Sequence, residues 1–230
     1  MECNTKREKV AIVHQKLFTD RERTNILRGG EQKLILFLLK KVPDWVTPNF
    51  MTGIGMLGSV VVFVAFILAH YYGNTYLLIG IGGLLINWLG DSLDGRLAYY
   101  RHIPRKWYGF TLDIVMDWLS IVLIGLGYYI YASPPYKVLA FLFVVLYGWS
   151  MIIALLRYKI TGNYRIDTGH LGPTELRVII SLILLAESLI PGIIGYFAIA
   201  ICALLLIINT VDTQKLLKEG DARDNTEPKR

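Results

Sequence analysis

Six long apolar stretches govern what this sequence can fold into. They run roughly over residues 50–71, 75–99, 110–132, 137–157, 174–190 and 192–211. Each is close to the ~20 residues a helix needs to cross the hydrocarbon core of a bilayer. The fifth is the shortest as an apolar run, because Glu187 interrupts it. A segment in lipid must satisfy its own backbone polar groups, so helix is the default for all six. The expected fold is all-α, a six-transmembrane helix bundle. A hydrophobic share of 54% over 230 residues is too high for an ordinary soluble domain of this size.

The basic residues give the bundle a direction. Lys33, Lys40 and Lys41 precede the first stretch; Arg96, Arg101, Arg105 and Lys106 follow the second. Arg157, Lys159 and Arg165 follow the fourth, and the C-terminal tail carries Lys215, Lys218, Arg223, Lys229 and Arg230. The opposite loops, "HYYGNT", "ASPPYK" and "SLIPG", hold only Lys137. The positive-inside rule then puts both termini in the cytoplasm. The net charge of +6 is membrane-anchoring charge on this reading, and no nucleic-acid partner is expected.

Three regions follow: a cytoplasmic segment over 1–43, a membrane domain over 44–211 and a polar tail over 212–230, whose final stretch "KEGDARDNTEPKR" is expected to be disordered. The start, "MECNTKREK", does not read as a secretory signal peptide. Leu34 to Leu39 is too short to span and is flanked by lysines, which suits an amphipathic helix on the membrane surface. A short helix packed on the bundle is the alternative. Cys3 and Cys202 form neither a disulfide framework nor a CxxC zinc pattern.

One polar feature interrupts this apolar chain. "GDSLDGRLAYYRHIPRKWYGFTLDIVMD", from Gly90 to Asp117, holds Asp91, Asp94, Asp113 and Asp117. A charge at the bilayer centre costs roughly 2.5–3.5 kcal/mol on insertion scales, so idle acids are rare there. Spacings of three and four put each pair on one helix face. A short basic loop joins the two helices, which reads as an antiparallel pair with its acidic faces converging near the cytoplasmic ends. Clustered carboxylates repel, and a hard cation such as Mg²⁺, or Mn²⁺ in its place, relieves that repulsion through all-oxygen ligation. Arg101, Arg105 and Lys106 add positive charge suited to phosphate. Gly95 and Gly109 leave room for a ligand beside the acids. Capping or arginine pairing explains one such acid more easily than four. A cation path in a transporter remains a rival reading.

The stretch resembles the signature of the CDP-alcohol phosphotransferases, DxxDGxxAR followed by GxxxDxxxD. It reads Asp91, Asp94, Gly95 and Ala98, then Gly109, Asp113 and Asp117. "TPNFMT", Thr47 to Thr52, is similar to the opening of that family's first span. Two departures stand out: Tyr99 replaces the signature arginine, with Arg101 two residues on, and the interval to Gly109 is one residue longer. The resemblance implies an integral, multi-pass membrane enzyme of phospholipid synthesis; the loop charges put its site on the cytoplasmic side, and a compact chain with no targeting segment suits a bacterial inner membrane. The resemblance also implies that Asp91, Asp94, Asp113 and Asp117 hold two divalent ions, Mg²⁺ or Mn²⁺, with Asp117 as general base towards the acceptor hydroxyl. Asn49, Thr52, Gly95, Ala98, Arg101 and Gly109 would contact the CDP moiety. For Asn49 and Thr52, helix capping is an equal alternative.

The donor implied first is CDP-diacylglycerol, passing its phosphatidyl group to a small polar alcohol with release of CMP. CDP-choline or CDP-ethanolamine, giving a headgroup to a lipid alcohol, is the second reading. The acceptor side falls in "RYKITGNYRIDTGHLGPTELR", where Arg157, Arg165, Glu175 and Arg177 are the candidates and His170 reads as a loop residue. "GPTELR" is similar to a sequence found in some members of the family. Members are often dimers, which leaves a homodimer open.

Overall fold

The computed structural model describes residues 28–162 and 173–226. Among them there are seven α-helices and no strand: α1 Arg28–Leu39, α2 Pro48–Tyr72, α3 Leu77–Tyr100, α4 Lys106–Tyr131, α5 Lys137–Thr161, α6 Pro173–Leu189 and α7 Ile194–Thr226. Short 3₁₀ turns at Asn74–Tyr76 and Pro134–Tyr136 lead into α3 and α5. Five helices, all but α1 and α6, are long and apolar enough to cross a membrane. α6 has 17 residues, about 26 Å at 1.5 Å per residue.

α2 is the centre of the architecture. Its start is fixed locally: Thr47 caps it, its hydroxyl accepting from the Phe50 amide at 3.2 Å, and Pro48 occupies the first turn. α2 then packs against both α3 and α4. Small residues allow the α2–α3 approach: a Cβ at Gly58 would lie 2.6 Å from the Gly83 carbonyl oxygen, and one at Gly90 would strike the backbone of Gly55. α3 and α4, although joined by a short loop, do not pack closely on each other. This corrects the expectation of a directly paired hairpin. The glycine face of α3 is spent on α2, so the acidic helices flank α2.

The longer loop is absorbed by a defined helix stop. The Ile103 amide donates to the Ala98 carbonyl at 3.0 Å, the His102 amide to that of Tyr99 at 3.1 Å, and His102 adopts a φ of 60°. That is a Schellman termination with a non-glycine residue in the left-handed position. Tyr99 therefore stays inside α3, and Arg101 sits at its C-cap.

α1 packs through Ile35 and Leu39 on Val46, Met51, Leu93 and Leu97, while Leu34 and Phe37 remain exposed on its outer side. The i, i+4 spacing of Glu31, Ile35 and Leu39 makes this inner face.

At the far end, Glu187 is a structural pin rather than a break. Its buried carboxylate accepts from the Tyr131 hydroxyl and, at 2.8 Å each, from the amides of Gly192 and Ile194. An acid at the N-terminus of α7 also meets the helix dipole favourably. Between α5 and α7, Asn209 donates to the Leu146 carbonyl at 2.7 Å and accepts from Ser150 at 2.7 Å.

The tail differs from expectation: α7 continues through Thr226. Arg223 donates to the carbonyls of Lys159 and Ile160 at 2.8 Å each, satisfying the open end of α5. Arg157 faces Glu219 at 3.6 Å, and Leu216 is buried. These contacts order a segment whose composition alone reads as disordered.

Candidate active site

The site forms at one end of the bundle, where α2, α3, α4 and α6 meet. Asp91 on α3 and Asp113 and Asp117 on α4 each offer a carboxylate oxygen, and these oxygens lie within 4.8 Å of one another. All three residues are half-buried. Three carboxylates this close in a partly desolvated setting attract positive charge strongly. The all-oxygen donor set fits a hard divalent cation. Asp94 stands outside this trio. It faces α2, where its Oδ2 accepts from the Thr52 hydroxyl at 2.8 Å.

Asn49 joins a second polar group, between the start of α2 and the start of α4. Its Oδ1 accepts from Arg105 at 2.8 Å, its Nδ2 donates to the Tyr108 hydroxyl at 3.2 Å, and the Arg105 guanidinium lies 4.0 Å from the centre of the Tyr108 ring. Thr47 is the helix cap, so Asn49 and Thr52 are left for side-chain contacts across to α4 and α3. Gly95 and Gly109 differ from the packing glycines: a Cβ at either would meet nothing within 4 Å. Their small size is not demanded by the packing of this chain. Ala98 is half-buried on α3, and its carbonyl closes the helix stop.

Arg101 turns away from the acids. Its guanidinium binds the carbonyls of Val42, Pro43, Asp44 and Val46, with 2.7 Å to Pro43 and 3.2 Å to Asp44. It ties the α1–α2 connection to the end of α3. Arg96 lies 3.6 Å from the buried carboxylate of Glu31 on α1, to which Thr174 of α6 also donates at 3.4 Å.

The acceptor candidates separate. Arg177 reaches the trio, its Nη2 2.9 Å from Asp91 Oδ2. Glu175 is buried in the first turn of α6. Arg157 faces the tail rather than the acids, through Glu219. Arg165 and His170 lie outside the described residues. Sequence reasoning missed Asn87, one turn before Asp91, whose Oδ1 accepts from Arg177 Nε at 2.7 Å. It also missed Tyr108. A polar residue at helical spacing from the motif was the signal for Asn87.

Comparison with curated proteins gave no match. The family model described as CDP-alcohol phosphatidyltransferase matches residues 45–208, more than two thirds of the chain. The match takes in α2 to α6 and every residue of the trio, and leaves out α1 and the charged end of α7. With five apolar helices of spanning length around that match, the chain is an integral, multi-pass membrane protein and belongs to the CDP-alcohol phosphatidyltransferase family.

Proposed function

We propose that this protein transfers a phosphatidyl group from CDP-diacylglycerol to a small polar alcohol and releases CMP. The observation that carries this reading is the convergence of Asp91 on α3 with Asp113 and Asp117 on α4, in the order of the family signature. The acceptor oxygen forms a bond to the phosphorus of the diacylglycerol-bearing phosphate, and the bond from that phosphorus to the CMP oxygen breaks. Asp117 accepts the proton of the acceptor hydroxyl. Arg105, held by Asn49 and stacked on Tyr108, offers a preoriented guanidinium to the pyrophosphate. Gly95, Ala98 and Gly109 leave space for the cytidine. Arg101 supports the loop instead of touching substrate.

Asp91, Asp113 and Asp117, with Asp94 behind them, are the residues that would hold divalent cations, Mg²⁺ or Mn²⁺ and two in number. Such ions supply neutralisation of the pyrophosphate charge when bound. Arg177, beside Asp91, is the acceptor-side cation nearest the trio among the described residues. A phosphorylated alcohol is therefore the favoured acceptor.

α6 serves as a sixth, short span in this reading. The termini and the site face the cytoplasm of a bacterial inner membrane, with the exposed Leu34 and Phe37 of α1 resting on the leaflet beside Lys33, Lys40 and Lys41. A donor with its acyl tails in lipid then meets the acids at headgroup level. Mass spectrometry of the lipid product tests the donor. Purified protein with CDP-diacylglycerol and a panel of acceptors should yield a new phosphatidyl lipid. Product formed only from CDP-choline or CDP-ethanolamine with diacylglycerol would reverse the assignment of donor.

A further inference from the structure

Arg177 has two anchors that differ in kind. Its Nε donates to Asn87 Oδ1 at 2.7 Å, and its Nη2 lies 2.9 Å from Asp91 Oδ2. The side chains of Arg177 and Asp91 are only 15% and 22% exposed, so the pair is weakly screened. Asn87 is itself fixed. Its Nδ2 donates to the Gly55 carbonyl at 3.0 Å and to the Ser59 hydroxyl at 2.9 Å. A carbonyl accepts and a guanidinium donates, so this amide fits in one orientation only. A buried residue between α2 and α3 thus aims one oxygen at α6.

The consequence is a competition at Asp91. We propose that Arg177 is a displaceable counter-ion of the acidic trio, kept beside Asp91 by Asn87, and that a divalent cation must push its Nη2 off Asp91 to bind. The proposal rests on the reading of Asp91, Asp113 and Asp117 as cation ligands. In the absence of an ion, the guanidinium offsets part of the repulsion among three carboxylates. Once an ion arrives, the same positive charge opposes it, so the protein binds its cation less tightly than the carboxylates alone would. Asn87 acts through Arg177 and is a positioning residue. By holding Nε it keeps the guanidinium at high effective concentration next to Asp91.

The test is Mn²⁺ binding to the full chain in detergent, read from the EPR signal of free Mn²⁺, with thermal unfolding followed alongside. Arg177→Gln should bind Mn²⁺ about tenfold more tightly than the parent, because a neighbouring positive charge is removed. Asn87→Leu should tighten binding about threefold, and the double substitution should add nothing to Arg177→Gln alone. Ser59→Ala, which leaves the Gly55 and Arg177 bonds of Asn87 in place, should leave Mn²⁺ affinity unchanged. If Arg177→Gln does not fold, Asn87→Leu decides alone. Unchanged or weaker Mn²⁺ binding in the folded variants would overturn the counter-ion role while leaving the cation site intact. No Mn²⁺ binding by the parent protein would overturn both.

Discussion

Thr52 on α2 donates its hydroxyl hydrogen to Asp94 on α3 at 2.8 Å, 42 residues along the chain. Asp94 is the signature aspartate that stands apart from the trio of Asp91, Asp113 and Asp117. The bond crosses the glycine-lined contact that places α3 on α2, so the orientation of Asp94 and the docking of the two helices are one arrangement.

Thr52→Val keeps the shape of the side chain and removes this donor. A hydrogen bond to a charged group contributes about 1.5–3 kcal/mol, and that loss should appear as reduced thermal stability. Transfer activity per folded protein should fall about tenfold, and Thr52→Ser should restore it. An activity loss that Thr52→Ser does not restore would assign Thr52 a role in packing.

The two classes of glycine make opposite predictions. Gly58→Ala drives a Cβ to within 2.6 Å of the Gly83 carbonyl, so α2 and α3 must part, at a cost of about 1–3 kcal/mol. Gly95→Ala meets nothing within 4 Å, and alanine is the better helix former by about 0.5–1 kcal/mol. Thermal unfolding should show Gly58→Ala destabilised and Gly95→Ala unchanged or stabilised. CMP release should nevertheless fall in Gly95→Ala, because the added methyl occupies substrate space. Full activity in Gly95→Ala would remove Gly95 from the site.

Arg101 and Arg105 divide the basic loop between them. Arg101→Ala should raise hydrogen exchange across residues 42–46, where it binds the carbonyls of Val42, Pro43, Asp44 and Val46, and change transfer by only a few-fold. Arg105→Ala should spare that exchange and lower transfer by about a hundredfold, mainly through KM for the CDP donor. The reverse pattern would return the pyrophosphate contact to Arg101.

Cation removal should act on stability as well as activity, because a ligand that binds only the folded state stabilises it. Saturating Mg²⁺ should raise the unfolding temperature of the parent protein relative to EDTA. The increase should vanish in Asp113→Asn, which withdraws one carboxylate of the trio. An equal increase in the variant would place the ion elsewhere.

The acidic cluster of the candidate site was legible because chemistry and spacing coincide. Four acids in apolar surroundings, at intervals of three and four, leave few roles besides holding charge, and three of them converge. The five longer spans were legible from apolar length alone. What sequence could not show was contact between distant residues. The pairing of Asn87 with Arg177 joins positions 90 residues apart, and nothing local signals it. The hold of Arg101 on the α1–α2 connection was equally hidden, because its charge is visible in the sequence and the backbone carbonyls that engage it are not. The tail read as disordered because its composition is polar. Its order comes from Arg223 on the carbonyls of α5. α3 and α4 were expected to pair because they are neighbours in the chain, but small residues let α2 come between them.

CMP release by the purified protein with Mg²⁺, CDP-diacylglycerol and a panel of small alcohols and their phosphates, run beside Asp117→Asn, tests the central claim most directly. The account predicts CMP with one acceptor, strongest for a phosphorylated one, and a loss of at least a thousandfold in the variant if Asp117 accepts the proton and helps hold the cation. CMP release that Asp117→Asn leaves intact, or none from CDP-diacylglycerol with any acceptor, would contradict it.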